Sequence, residues 1–257
     1  MHFIKTRLTV IQKICLSGLF MALVAILQKV VAVNYLAFAP FVRISLGGPA
    51  LIMFASVLLG PIYGMLIGIA SDLLGYFIFD ASGYPPFLQI TAIYALLGFG
   101  SYFIFSLVFM IKNRKAIALV EIISMSVIWA IIAIFTLTRN EIKLFGSTYQ
   151  LNVTSKALIC AISGAIFVAI ILLSILIKPK DNSVYRSPLH ICFASFICDF
   201  FILLWFGSLM KALAFGFNLF VTILLCQALV MFVNVVLDTF FISTFQRFTK
   251  KYFVEVR

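Results

Sequence analysis

The sequence has little charge and few of the residues that enzymes use for chemistry. Charged residues make up 11% of its 257 residues, against about 25% in soluble domains. His2 and His190 are the only histidines, and the five cysteines all lie in apolar runs without the Cys/His spacing of a metal site. The sequence also lacks a GxxxxGK[ST] phosphate loop, a GxSxG motif and an HExxH motif. It therefore predicts no enzyme, no metal site and no cofactor.

Apolar segments dominate what is present. The chain is 64% hydrophobic, its mean hydropathy is +1.21, and several runs approach the roughly 20 residues that cross a bilayer. These runs do not alternate as the strands of a transmembrane barrel do. We predict an all-α polytopic membrane protein, a single integral membrane domain over 1–257 built as a helical bundle. About eight spans are expected, at 11–33, 49–59, 61–79, 87–111, 116–137, 155–177, 189–209 and 215–245.

The net charge of +11 is explained by membrane orientation and not by nucleic-acid binding, because the basic residues lie between spans. If Gly60-Pro61 is a hairpin and the N-terminus is cytoplasmic, 13 Lys and Arg residues lie inside and 6 outside. If the segments around Gly60-Pro61 form one span, the count becomes 7 inside and 12 outside. The positive-inside rule favours the hairpin. We expect a multi-pass protein of the plasma membrane with both termini cytoplasmic.

One group of polar residues is expected at the outer mouth of the bundle. Asp72 lies within a span, where a charge costs about 2.5–3.5 kcal/mol, and Arg43 lies in the preceding outer loop. Tyr76 is one helical turn from Asp72, and Gln89 begins the next span beside the turn that contains Tyr84. These groups suit a small polar aromatic solute. The alternative is that Arg43 and Asp72 form a structural ion pair.

Three further acidic residues lie within or near the ends of spans. Glu121 is close to a basic cytoplasmic cluster, and Asp238 is two turns from Arg247, so pairing with these bases is one interpretation of each. Asp199 is near the middle of its span, where an interhelical hydrogen bond would account for it.

Small residues recur every four positions along two spans. Gly60, Gly64 and Gly68 follow one another on one face of the third span, and Gly18 and Ala22 do so on the first. Such faces let helix backbones approach closely. They are interpreted either as a contact between these two helices or as a smooth surface that docks another subunit.

Five motifs follow one another between residues 43 and 87. They are Arg43-Ile44-Ser45-Leu46-Gly47, Gly48-Pro49, Leu58-Leu59-Gly60-Pro61-Ile62-Tyr63-Gly64, Gly68 with Asp72 and Gly75, and Tyr84-Pro85-Pro86-Phe87. Together with the first span, this order resembles the substrate-binding S components of energy-coupling factor (ECF) vitamin transporters, most closely the folate-type branch. The resemblance covers about residues 10–110.

The resemblance implies a subunit of an ECF-type ABC importer that captures a vitamin outside the cell, with folate favoured and riboflavin or another vitamin behind it. Its implied partners are a transmembrane T component and two cytoplasmic ATPases, which would hydrolyse ATP for uptake. The implied substrate-binding residues are Arg43, Ser45, Asp72, Tyr76, Tyr84 and Gln89. The implied partner-docking residues are Gly18, Ala22, Gly60, Gly64 and Gly68.

The S-component core has six helices, so two of the predicted spans are additional. The additional pair is either the one within 116–178 or one at the C-terminal end. Two other functional classes remain open. A stand-alone proton-coupled secondary transporter of a small polar solute would use Asp72, Asp199 and Asp238 as proton sites. A structural or assembly protein would use its charges only to hold the bundle together.

Overall fold

The structure, a computed structural model, describes residues 8–29, 47–79, 87–138, 141–144, 147–150, 152–176 and 187–249. Helices form almost all of these residues. They are α1 (Val10–Lys29), α2 (Gly48–Leu59), α3 (Pro61–Phe79), α4 (Leu88–Met110), α5 (Arg114–Thr138), α6 (Val153–Leu176), α7 (Pro188–Cys198), α8 (Gly207–Phe215) and α9 (Phe220–Thr249). A π-helical segment, Asp199–Phe206, joins α7 to α8 without a break. An antiparallel hairpin of β1 (Glu141–Leu144) and β2 (Ser147–Gln150) connects α5 to α6.

The all-α polytopic membrane fold is confirmed. Among the described residues, six helices are long and apolar enough to cross a bilayer: α1, α3, α4, α5, the continuous helix Pro188–Ala214, and α9. The order of the helices agrees with the predicted spans, and their ends differ by at most six residues. The segments predicted as spans at 49–59 and 155–177 are not among the six. The short β-hairpin within the predicted loop 138–154 was not anticipated.

Helix α2 is the centre of the bundle. Its 12 residues measure about 18 Å at 1.5 Å per residue, which is too short to cross a hydrocarbon core of about 30 Å. All 12 residues are buried, and α1, α3, α4 and α9 pack around them. The helix is apolar because it faces other helices on every side.

The turn at Gly60 reverses the chain. Gly60 has φ +109°, a conformation that strains any residue with a Cβ atom, and its N–H donates to the Ser56 carbonyl at 2.9 Å. A Cβ atom on Gly64 would lie 2.5 Å from the Ser56 Cβ. Helix α3 therefore folds back along α2. The predicted hairpin is confirmed, and a single fused span is excluded.

The glycines of α3 pack against α4. A Cβ atom on Gly64 would lie 2.5 Å from the carbonyl oxygen of Gly98, and one on Gly68 would overlap the carbonyl group of Tyr94. The two helix backbones are thus in direct contact, as small-residue faces permit. The expectation of an open docking face at Gly64 and Gly68 is wrong, because α4 covers both residues. The predicted contact of this face with the first span is also wrong, because the helix that contacts Gly64 and Gly68 is α4.

Helices α5 and α6 lie at the periphery. They pack on each other, with the Trp129 and Phe167 rings stacked at a centroid distance of 6.2 Å, and Gly164 lies beside the Trp129 ring. Their contacts with the rest of the bundle are to α7 and α9. Their outer faces are exposed and apolar, as lipid contact requires.

Candidate functional site

Asp72 is buried in α3, and its bonds reach two other helices. Thr91 Oγ1 on α4 donates to Asp72 Oδ2 at 2.7 Å. Lys29 is the last residue of α1, and its Nζ lies 3.9 Å from Asp72 Oδ1. The aliphatic part of Lys29 crosses α3 at Gly75, where a Cβ atom would lie 2.7 Å from the lysine Cγ. This arrangement ties α1, α3 and α4 together.

The other residues expected at the outer mouth are only partly described. Arg43, Ser45 and Tyr84 lie outside the described residues. Tyr76 and Gln89 are half-buried at the same end of the bundle as Asp72. Sequence reasoning missed Lys29 and Thr91 as partners of Asp72.

The bundle also contains a cavity with polar walls. It extends from the N-terminal end of α2 to the first two turns of α4, the π-helical segment, α8 and α9. Its polar walls come from Tyr94, Asp199, Lys211, Gln227 and Asn234. Its apolar walls come from Pro49, Ile90, Ile93, Leu203, Leu204, Val230 and Met231. Thr91, which bonds Asp72, belongs to the same turn of α4 as Ile90 and Ile93 but is not a lining residue.

Hydrogen bonds fix Lys211 at the cavity wall. When the Gln227 amide is oriented to match its neighbours, its nitrogen donates to the Leu203 carbonyl at 2.7 Å and to Ser208 Oγ at 3.0 Å, and its oxygen accepts from Lys211 Nζ. Leu203 lies in the π-helical segment, and π-helical turns are frequent at functional sites. The network therefore links Lys211 on α8 to the π-helical segment and to Gln227 on α9.

Two acidic residues meet behind the cavity. Asp199 is 0% exposed and Asp238 is 1% exposed. Their carboxyl groups lie against each other, and Asp238 also accepts from the N–H of Ala50 in the first turn of α2. The interhelical interpretation of Asp199 fits this contact. The interpretation of Asp238 through Arg247 does not, because Asp238 faces the bundle interior while Arg247 is exposed.

Comparison with known families identifies the family of the chain. A family model described as ECF-type riboflavin transporter, S component, matches residues 9–180. The chain belongs to this family. Members are substrate-binding subunits of vitamin transporters and not enzymes. No curated protein and no solved structure matches the chain.

The first helix of this S component has an open small-residue face. Gly18 and Ala22 are exposed, and a Cβ atom on Gly18 would have no neighbour within 4 Å. Gly60 is half-buried at the α2–α3 turn, also with no neighbour within 4 Å of an added Cβ atom. The two glycine-containing faces thus differ, since α4 covers the one on α3.

The family match and the cavity overlap only in part. The match ends at residue 180, so of the lining residues it includes those on α2 and α4 but not those on the π-helical segment, α8 and α9. Sequence reasoning missed Tyr94, Gln227 and Asn234 as lining residues. The sequence does contain a pattern that predicts a polar face on α9. Gln227, Asn234 and Asp238 are spaced by seven and four residues on an otherwise apolar helix and therefore share one face.

Proposed function

We propose that this S component captures a vitamin outside the cell for ATP-driven uptake by partner subunits, with riboflavin the first substrate to test. The observation that carries the proposal is the cavity, where an acid, a cation and two amides converge inside an otherwise apolar bundle. Ligand sites combine apolar walls with a few polar groups in this way. The sequence motifs alone favour folate, but the family match favours riboflavin. Folate therefore becomes the second candidate.

The walls suit a flat ring system with polar edges. Asp199, Lys211 and Asn234 offer hydrogen-bond donors and acceptors, while Ile93, Leu204 and their apolar neighbours offer surface for a ring face. The cavity bounded by the described residues is about 70 Å³, well below the roughly 300–1,000 Å³ of sites for drug-sized ligands. We therefore expect the cavity to widen when a vitamin binds. Arg43, Ser45, Asp72, Tyr76, Tyr84 and Gln89 remain proposed contacts at its outer side.

The orientation follows from charge. The cavity lies at the N-terminal end of α4, whereas Lys112, Arg114 and Lys115 lie beyond its C-terminal end. The positive-inside rule assigns the basic end to the cytoplasm. The cavity then opens outside the cell in the plasma membrane, and both termini are cytoplasmic. We also propose that the additional helical pair is the C-terminal one, α7–α9, and not 116–178, because the family match covers the six helices α1–α6.

Binding by the purified protein in lipid nanodiscs tests the substrate. We expect riboflavin to bind with sub-micromolar affinity and to be displaced more weakly by folate. Lys211→Met should weaken riboflavin binding at least tenfold, because it removes the cavity cation. Lys115→Met removes an exposed cation at the opposite end and is the matched control. Absence of binding by either vitamin, or equal loss in both variants, contradicts the proposal.

The proposed docking of the T component on α1 has its own test. Gly18→Leu places a bulky side chain on the open face around Gly18 and Ala22, and should abolish co-purification with a T component and two ATPases while leaving vitamin binding intact. Ile162→Phe changes an exposed residue of α6 and should leave co-purification unchanged. If Gly18→Leu still assembles normally, the α1 face is not the docking surface.

A stand-alone proton-coupled transporter is the second candidate function. It is favoured by the buried contact between Asp199 and Asp238. This candidate requires uptake into proteoliposomes that contain only this chain and carry a proton gradient. The S-component proposal requires that such vesicles show no uptake until the partner subunits and ATP are supplied.

A further inference from the structure

The paired carboxyl groups of Asp199 and Asp238 lie where α2, the π-helical segment and α9 meet. Asp199 is the first residue of the π-helical segment, and Asp238 faces it from α9. Both side chains are buried, and Asp199 also lines the vitamin cavity. Titratable groups near the pair include the Cys198 thiol beside it and, on the cavity wall, Tyr94 and Lys211. The pair therefore belongs both to the core and to the candidate site.

The hydrogen-bond donors around the pair are too few for two ionised carboxylates. Among the described residues, no donor reaches either carboxyl oxygen of Asp199 or Oδ2 of Asp238. The donor that does reach the pair is the Ala50 N–H, which bonds Asp238. A buried carboxylate oxygen without a donor is costly, and two ionised carboxylates in contact repel each other. A single proton between the two groups removes both problems, because it supplies an O–H donor and cancels one charge.

We propose that Asp199 and Asp238 share one proton and act as a single, singly charged unit. The negative charge stays on Asp238, because the Ala50 N–H and the positive end of the α2 dipole stabilise an anion there. Asp199 carries the proton and donates it in a hydrogen bond to Asp238. One neutral and one charged carboxyl group thus stand side by side, as in other carboxyl pairs that hold a proton between them.

This arrangement also specifies the ligand chemistry of the cavity, an extension that rests on the proposed function. A protonated Asp199 presents a neutral carboxyl group to the ligand. Asp238, which holds the single negative charge, contacts Asp199 but is not itself a lining residue, and the pair and Lys211 together have no net charge. An uncharged ring with both donors and acceptors on its edge fits such a wall better than an anionic group does.

Infrared spectroscopy tests the shared proton directly. The purified full chain in lipid nanodiscs at neutral pH should show the carbonyl stretching band of a protonated carboxylic acid. Labelling aspartate with ¹³C at the side-chain carboxyl should shift this band, which assigns it to aspartate and separates it from Glu121, another buried acid. Asp199→Asn should abolish the shifted band, whereas Asp238→Asn should keep one, because Asp199 then remains a buried acid.

Asp72→Asn is the matched control. Asp72 is also buried, but it accepts from Thr91 and lies beside Lys29, so it should be ionised and its loss should leave the band unchanged. Absence of a label-sensitive band in the intact protein overturns the proposal, as does a band that persists in Asp199→Asn. Asp199→Asn keeps the shape of a protonated carboxyl group, so this variant decides the question even if Asp238→Asn fails to fold. The measurement needs no vitamin and no partner, so its failure is distinct from a failure of the proposed function.

Discussion

Substitution of Gly64 by alanine is the sharpest test of the packing between α3 and α4. The new Cβ atom would lie 2.5 Å from the Gly98 carbonyl oxygen and 2.5 Å from the Ser56 Cβ, whereas ordinary contacts are 3.4–4 Å. Helices α3 and α4 must therefore separate by about 1 Å, since backbone atoms cannot rotate away as a side chain can. Overpacking of this kind costs about 1–3 kcal/mol.

Gly18→Ala is the control for this substitution. Replacing glycine by alanine inside a helix stabilises it by about 1 kcal/mol, and this gain applies to both positions. At Gly18 nothing opposes the gain, because no atom lies within 4 Å of the added Cβ. The difference between the two variants should therefore equal the overpacking cost, about 1–3 kcal/mol in favour of Gly18→Ala.

Reversible unfolding of both variants in the same detergent measures this difference. We expect Gly64→Ala to unfold at lower denaturant than Gly18→Ala. The double variant Gly64→Ala/Gly98→Ala should lose less stability than the two single losses added together, because the first substitution already separates the helices. Equal stability of Gly64→Ala and Gly18→Ala would refute the backbone contact between α3 and α4.

Three further predictions concern the polar contacts and the α2–α3 turn, and the same unfolding assay measures each. Thr91→Val should lower the free energy of unfolding by about 1.5–3 kcal/mol, because it removes a hydrogen bond to a charged group. Thr136→Val, whose hydroxyl bonds a carbonyl of its own helix, should cost clearly less, and equal losses would contradict the role given to Thr91. Lys29→Met should lower the free energy of unfolding by at most about 3–5 kcal/mol, the range for breaking a buried ion pair. Adding Asp72→Asn to this variant should recover part of the lost stability. If the effects of the two substitutions simply add, the two side chains do not interact. Gly60→Ala should lower the free energy of unfolding by about 1–3 kcal/mol, because φ +109° with ψ 165° is a backbone conformation that residues other than glycine rarely adopt, and an unchanged stability would exclude this turn conformation.

The sequence predicted which residues needed an explanation but not which residues would meet. Asp72 stood out because a charge inside a span is costly. Its contact with Lys29 depends on how α1 packs against α3, and no local pattern encodes that packing. Asp199 and Asp238 each stood out in the same way. Their contact requires the π-helical segment and α9 to cross at the N-terminus of α2, a geometry that separate interpretations of the two residues missed.

The glycines of α3 illustrate the same division. Their four-residue spacing identified a face that permits close helix contact, and that part of the interpretation was correct. The partner was not predictable, because α1, α4 and an external subunit are all apolar helices that such a face accepts. The structure selects α4, through the matching position of Gly98.

The sequence by itself determined the membrane class, the order of the helices and the hairpin at Gly60, because hydropathy, helix length and loop charge are local properties of the chain. It also identified the S-component family through the order of short motifs. Only the tertiary structure decided that α2 is enclosed, that Asp72 pairs with Lys29, and that Lys211, Gln227 and Asn234 converge on one cavity. These features depend on which faces of distant helices pack together, and among apolar helices shape and a few polar contacts decide that choice.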